Sequence, residues 1–380
     1  MALKNIKVIE LAGLAPAPFC GMVLADFGAS VLRVDKVGAN TDLDVLSHGK
    51  KSIALNLKHP KGVNILRQLC NKSDVLIEPF RYGVMETLGL GPANLLADNP
   101  KLIYARLTGF GQKGFYSKRA GHDINYVALS GLLSLFGRSK EKPTFPVNYT
   151  ADFGGGGLMC AFGIVMALYE RSVSGLGQVV DANMVEGTAY VGSWLYKSQR
   201  LPIWGNKRGE NVLDSGAHFY EVYETKDGKY MSVGALEPQF YKELLKELGL
   251  TDDEMPQYGN FDECKKLLAS IFITKTQDEW CKRFDHLDAC TFPVLSLDEA
   301  PTHQHNKEQE MFVKDSVSQT YVPKPAPNLS RTPAKSVSTI RPPLRGEHTE
   351  SILYDLQYTA QDIDTLECEG IIERHKNSKL

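Results

Sequence analysis

The sequence predicts an α/β protein in which a parallel, doubly wound sheet forms a large domain and a smaller α+β domain follows it. Three observations lead there. Short apolar and β-branched runs alternate with helical patterns through the first half of the chain, and such alternation builds βαβ units. A hairpin pattern, His218 to Tyr223, a turn at Lys226-Asp227-Gly228, then Tyr230 to Val233, marks a change of architecture. A passage from Pro323 to Pro343 carries six prolines and reads as an extended linker. The expected division is 1–205 for the first part of the large domain, 206–322 for a linker and the small domain, and 323–380 for the Pro-rich linker and a C-terminal return to the large domain.

Taken in order, Ile6 to Leu11 is a strand, Ala12 to Ala17 a turn, and Phe19, Met22, Val23 and Phe27 recur at helical spacing before a strand at Val31 to Val34. Strands are expected again at Ser52–Leu57, Asp74–Ile77 and Leu102–Leu107, with helical segments at Lys61–Cys70 and Met85–Leu88 between them. The first turn lacks GxGxxG, which argues against a dinucleotide cofactor. A long helix is expected over Gly157–Arg171, a strand over Gln178–Asp181 and one helix over Val185–Gln199. After the polar stretch Gly205–Gly216 and the hairpin come helices at Gln239–Leu248, Phe261–Ala269 and Thr276–Phe284, then an extended Phe292–Leu295. Gly346 to Thr349 caps a last helical segment expected to pack on the large domain.

Over 380 residues, 43 basic and 45 acidic side chains leave a formal net charge of −2, so no nucleic-acid footprint is expected. The longest nearly unbroken apolar run, Leu158 to Tyr169, is too short for a bilayer. Met1 to Asn5 leads straight into a strand pattern, so neither a leader nor a membrane span is expected. Seven cysteines without a CxxC pair point to reduced thiols. His303 and His305 have no third ligand nearby in sequence, so no metal site is expected. Ser378-Lys379-Leu380 is the tripeptide that peroxisomal import receptors read at a C-terminus. Peroxisomal localisation is the expectation, with room for a mitochondrial share.

Two short segments carry the chemistry. Ala120-Gly121-His122-Asp123-Ile124-Asn125-Tyr126 and Ala151-Asp152-Phe153, which runs into Gly154-Gly155-Gly156-Gly157, set an imidazole and a carboxyl group in loop-like surroundings. Two different proton carriers suit removal of a proton from one face of a carbon and return to the other. That is racemisation or epimerisation. Asp152 before glycines also reads as a helix N-cap, Glu237 before Pro238 as a helix start, and Asp123 as an orienting residue. Arg33, Arg106 and Arg119 read equally as structural ion-pair partners or ligand contacts, and the four glycines as a place of close helix packing.

With these motifs stand Leu11–Cys20 (LAGLAPAPFC), Gly49-Lys50-Lys51-Ser52, Asp74–Pro92 (DVLIEPFRYGVMETLGLGP), Tyr104–Gln112 (YARLTGFGQ), Gly177–Tyr190 (GQVVDANMVEGTAY) and Gly234–Tyr241 (GALEPQFY). In this order and spacing they cover nearly the whole chain, which resembles the class III CoA-transferase family in its racemase branch. The resemblance implies a Rossmann-like large domain, a smaller domain and an interlocked homodimer, with active sites between the large domain of one chain and the small domain of the other. Glu237 would then face His122 and Asp152, and a lone monomer would be inactive.

The implied substrate is a 2-methylacyl-CoA thioester, whose α-proton is acidified because sulfur donates poorly into the carbonyl. His122 and Asp152 would be catalytic, with Glu237 polarising His122, and backbone N–H groups around His122 and Asp123 or at a nearby helix start would meet the enolate oxygen. Residues matching positions that bind coenzyme A in the racemases are Lys36, Leu55, Asn56, Leu57, Lys58, Arg81, Gly121, Asp123, Ile124, Asn125 and Tyr126. Lys36 and Arg81 would meet phosphates, and Leu55 and Leu57 would flank adenine. The racemases often carry arginine in place of Lys36 and aspartate in place of Asn56. No cofactor is implied beyond the coenzyme A carried by the substrate, and branched fatty acids or bile-acid side chains are the implied acyl groups. A CoA transferase with Asp152 as nucleophile is the alternative, and a noncatalytic acyl-CoA carrier is a third.

Overall fold

The structure is a computed structural model that describes residues 1–39 and 44–375; the Ser378-Lys379-Leu380 tripeptide lies outside the described residues. In chain order the elements are β1 (Lys7–Leu11), α1 (Pro16–Asp26), β2 (Ser30–Lys36), β3 (Lys51–Leu55), α2 (Pro60–Asn71), β4 (Val75–Glu78), α3 (Val84–Thr87), α4 (Pro92–Asp98), β5 (Ile103–Thr108), α5 (Asp123–Leu129), a π-helical segment Tyr149–Leu158, α6 (Met159–Ser174), β6 (Val179–Asn183), α7 (Met184–Val191) and α8 (Ser193–Ser198). They continue with β7 (Tyr220–Glu224), β8 (Tyr230–Gly234), α9 (Pro238–Leu248), α10 (Phe261–Phe272), α11 (Gln277–Phe284), β9 (Thr291–Pro293), α12 (Gln304–Glu308), β10 (Phe312–Lys314), β11 (Tyr321–Pro323), α13 (Thr349–Asp355), α14 (Ala360–Cys368) and β12 (Ile372–Glu373).

The chain divides into two compact units. The larger comprises residues 1–130, 147–191 and 305–380, the smaller residues 131–146 and 192–304, a division that differs from boundaries at 205/206 and 322/323. Local bonds account for the excursion 131–146: Arg138 forms a forked ion pair with Glu221, Ser139 donates to Glu210 at 2.7 Å, and the Arg208 guanidinium donates to the carbonyls of Ser134 and Glu141.

In the larger unit seven strands form one sheet in the order β12-β3-β2-β1-β4-β5-β6. Every pair is parallel except β12, which adds antiparallel to β3. Strands β4 and β5 are buried at every position, as expected where helices cover both faces of a parallel sheet. From β1 the chain winds outward through β2 and β3, then returns to place β4 on the other side of β1. This reversal sets a topological switch point at the C-terminal ends of β1 and β4, the place where doubly wound folds take their ligands. The C-terminal segment does pack on this unit: His348 N–H donates to the Ser52 carbonyl at 2.9 Å, and Ile352, Leu353, Ile363 and Leu366 join the core of β1, β3 and α2.

The helix expected over Gly157–Arg171 begins earlier, at Tyr149, as π-turns, and continues to Ser174. At 26 residues it is long and apolar enough, by length and composition alone, to cross a membrane, yet 56 % of its most apolar window is buried inside the protein. The single helix expected over Val185–Gln199 is two, α7 and α8, parted at Gly192, where a Cβ would lie 2.4 Å from a Leu132 methyl. In the smaller unit β7, β8 and β9 form an antiparallel sheet, and Phe219, Tyr223, Phe272, Trp280 and Phe284 centre its core.

Candidate active site

His122 and Asp152 come from two helix starts that one residue ties together. Asp123 is 1 % exposed, and its Oδ2 accepts the backbone N–H groups of Ala151 at 2.9 Å and Asp152 at 2.8 Å. The side chain at the first position of α5 thereby fixes the turn that carries Asp152. His122 stands one residue before α5 in extended backbone, with its N–H donating to Asn125 Oδ1 at 3.0 Å. Its ring is exposed. Asp152 is not an N-cap, as the sequence suggested, but lies within the π-helical segment, 8 % exposed. The wider π-turn is a rare local form found often at functional sites.

The electrostatics of this pair are lopsided. Burial raises the Asp152 carboxyl above the usual aspartate range, and the neighbouring Asp123 carboxylate raises it further. A hydrogen bond from Asn148 Nδ2 at 3.0 Å and the His122 charge pull the other way. Burial and the Asp123 charge thus move Asp152 toward its proton-bearing form, the direction that suits the acid half of a proton-transfer pair. Tyr126, pushed up to about 12 by burial and by the two aspartates, stays neutral.

Three of the four glycines are steric requirements. A Cβ on Gly155 would sit 2.4 Å from the Thr188 nitrogen on α7, one on Gly156 2.8 Å from the Ala151 carbonyl, and one on Gly157 2.7 Å from the Pro16 carbonyl of α1. Gly154 differs, since the nearest atom to its Cβ is 3.4 Å away. The glycines thus let α1 and α7 press directly on the Asp152 helix, as close packing of backbone demands.

The residues matched to coenzyme A fall along the C-terminal edge of the sheet. Lys36 ends β2, Leu55 ends β3, and Arg81 follows β4; Lys36, Lys58 and Arg81 are exposed. Buried Glu78 accepts the Phe80 N–H at 2.8 Å and pairs with Arg106 at 2.7 Å, bracing the turn from which Arg81 projects. Several expectations need correction. Leu55 is 1 % exposed in the sheet core and cannot flank adenine, whereas Leu57 is half-buried. Asp123 and Tyr126 turn inward and are engaged, Tyr126 donating to the Gly121 carbonyl, so only Ile124 and Asn125 of α5's first turn present exposed side chains. The N–H groups of Ala151 and Asp152, taken by Asp123, and that of His122, taken by Asn125 Oδ1, do not serve an enolate. Asn56 donates to the Gly370 carbonyl at 3.2 Å and accepts the Lys58 N–H at 3.1 Å; an aspartate could not make the first bond. Arg33 and Arg106 are structural, held by Asp35 and Asp44 and by Glu78 and Glu86.

Glu237 belongs to the smaller unit, where it precedes α9 with an exposed side chain that makes no cap. Sequence reasoning missed Asn148, whose left-handed backbone (φ 60°) starts the π-helical segment and aims its amide at Asp152. The available signal was an asparagine one helical turn before the acid, a residue type that tolerates this conformation.

Residues 3–349 match the family described as CoA-transferase family III. Alpha-methylacyl-CoA racemases of Mus musculus and Homo sapiens are each 55 % identical over 379 residues, 99 % of this chain and 99 % of theirs. Succinyl-CoA:glutarate CoA-transferase of Mus musculus is 30 % identical over 98 % of this chain and 91 % of its own. A solved CAIB/BAIF family protein from Brucella suis shares the fold with a TM-score of 0.78 at 23 % identity, covering 93 % of this chain and 99 % of that one. A family model matched over residues 3–349 and relatives 55 % identical across nearly the whole chain show that the chain belongs to the CoA-transferase family III.

Proposed function

We propose that this protein is an isomerase that interconverts the R and S forms of 2-methylacyl-CoA thioesters through an enolate. The observation that carries the reading is the Asp123 clamp, which joins the His122 turn to a buried Asp152 whose carboxyl is raised above the usual aspartate range by burial and by Asp123. The full-length identity to relatives named as racemases supports it. Neutral His122 removes the α-proton of one enantiomer while protonated Asp152 delivers a proton to the opposite face; the roles reverse for the other enantiomer. The thioester lowers the cost of the enolate, and the nucleotide handle, held by Lys36, Lys58 and Arg81 at the sheet edge, supplies remote binding energy that aligns the carbon. No cofactor or metal is required by this scheme.

The working form is a homodimer in which Glu237 of a second copy approaches His122. Support comes from a row of exposed apolar side chains along one helix, Leu158, Phe162, Val165, Met166, Tyr169 and Val173, at exposures of 43–79 %. Their spacing is that of a single helix face, and exposed apolar patches of this kind mark interfaces. Branched fatty acids and bile-acid side chains are the acyl groups, and the peroxisome is the compartment, read from Ser378-Lys379-Leu380. Deuterium at C2 with loss of optical purity, after incubation of one enantiomer of a 2-methylacyl-CoA in D₂O, is the expected result. Coenzyme A appearing instead on an added carboxylate, with optical purity kept, would replace this reading with a transferase that uses Asp152 as nucleophile.

A further inference from the structure

Beneath α1 lies a charged pair that the proposed chemistry does not use. The Lys50 ammonium donates to Glu10 Oε1 at 3.0 Å, to Glu10 Oε2 at 2.8 Å and to the Pro18 carbonyl at 3.0 Å, and both side chains are wholly buried. All three ammonium donors are thereby spent. Gly21 of α1 lies against the same carboxylate, since a Cβ there would fall 1.7 Å from Glu10 Oε2. Burial pushes the Glu10 carboxyl up to about 7 while Lys50 holds it down.

A buried pair of this kind yields little net stability, because desolvation offsets its attraction. What it supplies is geometry. The third bond is to the first turn of α1, and that turn bears directly on the helix carrying Asp152. A Cβ on Gly157 would meet the Pro16 carbonyl at 2.7 Å and the Phe19 ring at 2.8 Å. The Phe19 ring stands edge-on to Phe153 with centroids 5.3 Å apart, and Phe153 follows Asp152 in sequence. Asp123, His122 and Tyr126 face Asp152 from the α5 side and Asn148 from its own segment, while α1 brings the Phe19 ring, backbone and, two turns farther along the helix, the Cys20 thiol against Cys160. The two sides of Asp152 therefore have separate supports.

We propose that Glu10 and Lys50 are positioning residues for Asp152: by fixing the first turn of α1 they fix the surface on which Phe153 and Gly157 seat, and with it the setting of the carboxyl group. This rests on reading Asp152 as a proton carrier. Neither residue touches the substrate, so the effect falls on the acid and not on thioester binding.

The decisive variant is Glu10→Gln/Lys50→Met in the full chain, which removes both charges and leaves no uncompensated one. The Asp152 carboxyl is followed by ¹³C NMR titration, assigned through Asp152→Asn, and racemisation is measured alongside. The expected result is an Asp152 midpoint lower by at least about half a pH unit as the loosened helix admits water. A kcat lowered roughly tenfold with KM within about twofold should accompany it. A folded double variant with the wild-type midpoint and wild-type kcat overturns the proposal. Should the double variant fail to fold, Phe19→Leu decides, because it leaves the ion pair intact and cuts the last link; an unchanged Asp152 midpoint there is equally fatal. A wild-type protein that exchanges no α-proton would sink the racemase reading, while the titrations would still judge the positioning claim.

Discussion

Asp152 is enclosed by Asp123, Asn148 and the glycine-packed helices α1 and α7, whereas His122, one residue before α5, has its backbone fixed and its ring exposed. The difference teaches how a single chain can prepare half of a proton-transfer site. A carboxyl group ionises readily in water and needs burial to remain an acid near neutral pH. An imidazole needs no such help, since its ordinary range already lies there. Preorganisation is concentrated where the chemistry would otherwise fail.

The largest effect should come from the enclosed side. Asp152→Asn is expected to lower racemisation about a thousandfold or more, measured by polarimetry on either enantiomer. Its stability should respond with a definite sign. The raised carboxyl binds its proton more tightly in the fold than in the unfolded chain, so wild-type stability falls as pH rises from the ordinary aspartate range through the raised value. Asp152→Asn removes that loss, and its Tm relative to wild type should rise between pH 4 and pH 8; a constant difference across that range would contradict an elevated Asp152.

Asp123→Asn keeps an oxygen acceptor for the two N–H groups but removes the charge beside Asp152. A kcat lower by roughly tenfold is expected, together with movement of the Asp152-dependent limb of the pH profile to lower pH. An unshifted limb would mean that Asp123 acts only as a clamp. Gly155→Ala should destabilise by about 1–3 kcal/mol, because its methyl meets backbone of α7, whereas Gly154→Ala should be close to neutral in denaturant melts. Equal effects at the two positions would erase the distinction drawn among the four glycines. At the exposed sheet edge, Lys36→Ala or Arg81→Ala should raise KM by about tenfold with kcat unchanged, and the increase should shrink with added salt.

Much of this frame was legible. The β1–α1–β2 unit, the hairpin of the smaller unit and the return of the C-terminal helices follow from apolar periodicity, which reports burial directly. His122 and Asp152 were legible as chemistry because their residue types suit proton transfer. Periodicity cannot report hydrogen-bond register, so the π-turns around Asp152 were read as a loop and cap. Nor does it report partners distant in sequence: the grip of Asp123 on residues 151 and 152 spans a chain excursion, and residues 131–146 join the smaller unit through Arg138 and Arg208. Leu55 shows the converse error, since an apolar side chain at a ligand edge is as readily core as contact.

The central claim is that an imidazole and a carboxyl group serve opposite faces of one carbon. It is tested most directly by α-proton exchange in D₂O with each pure enantiomer and each of the variants His122→Ala and Asp152→Asn. The account predicts a mirror-image pattern: each variant exchanges the enantiomer whose base it retains, without inversion, and fails on the other. Equal loss of exchange for both enantiomers in both variants, or undiminished racemisation by either variant, would contradict it.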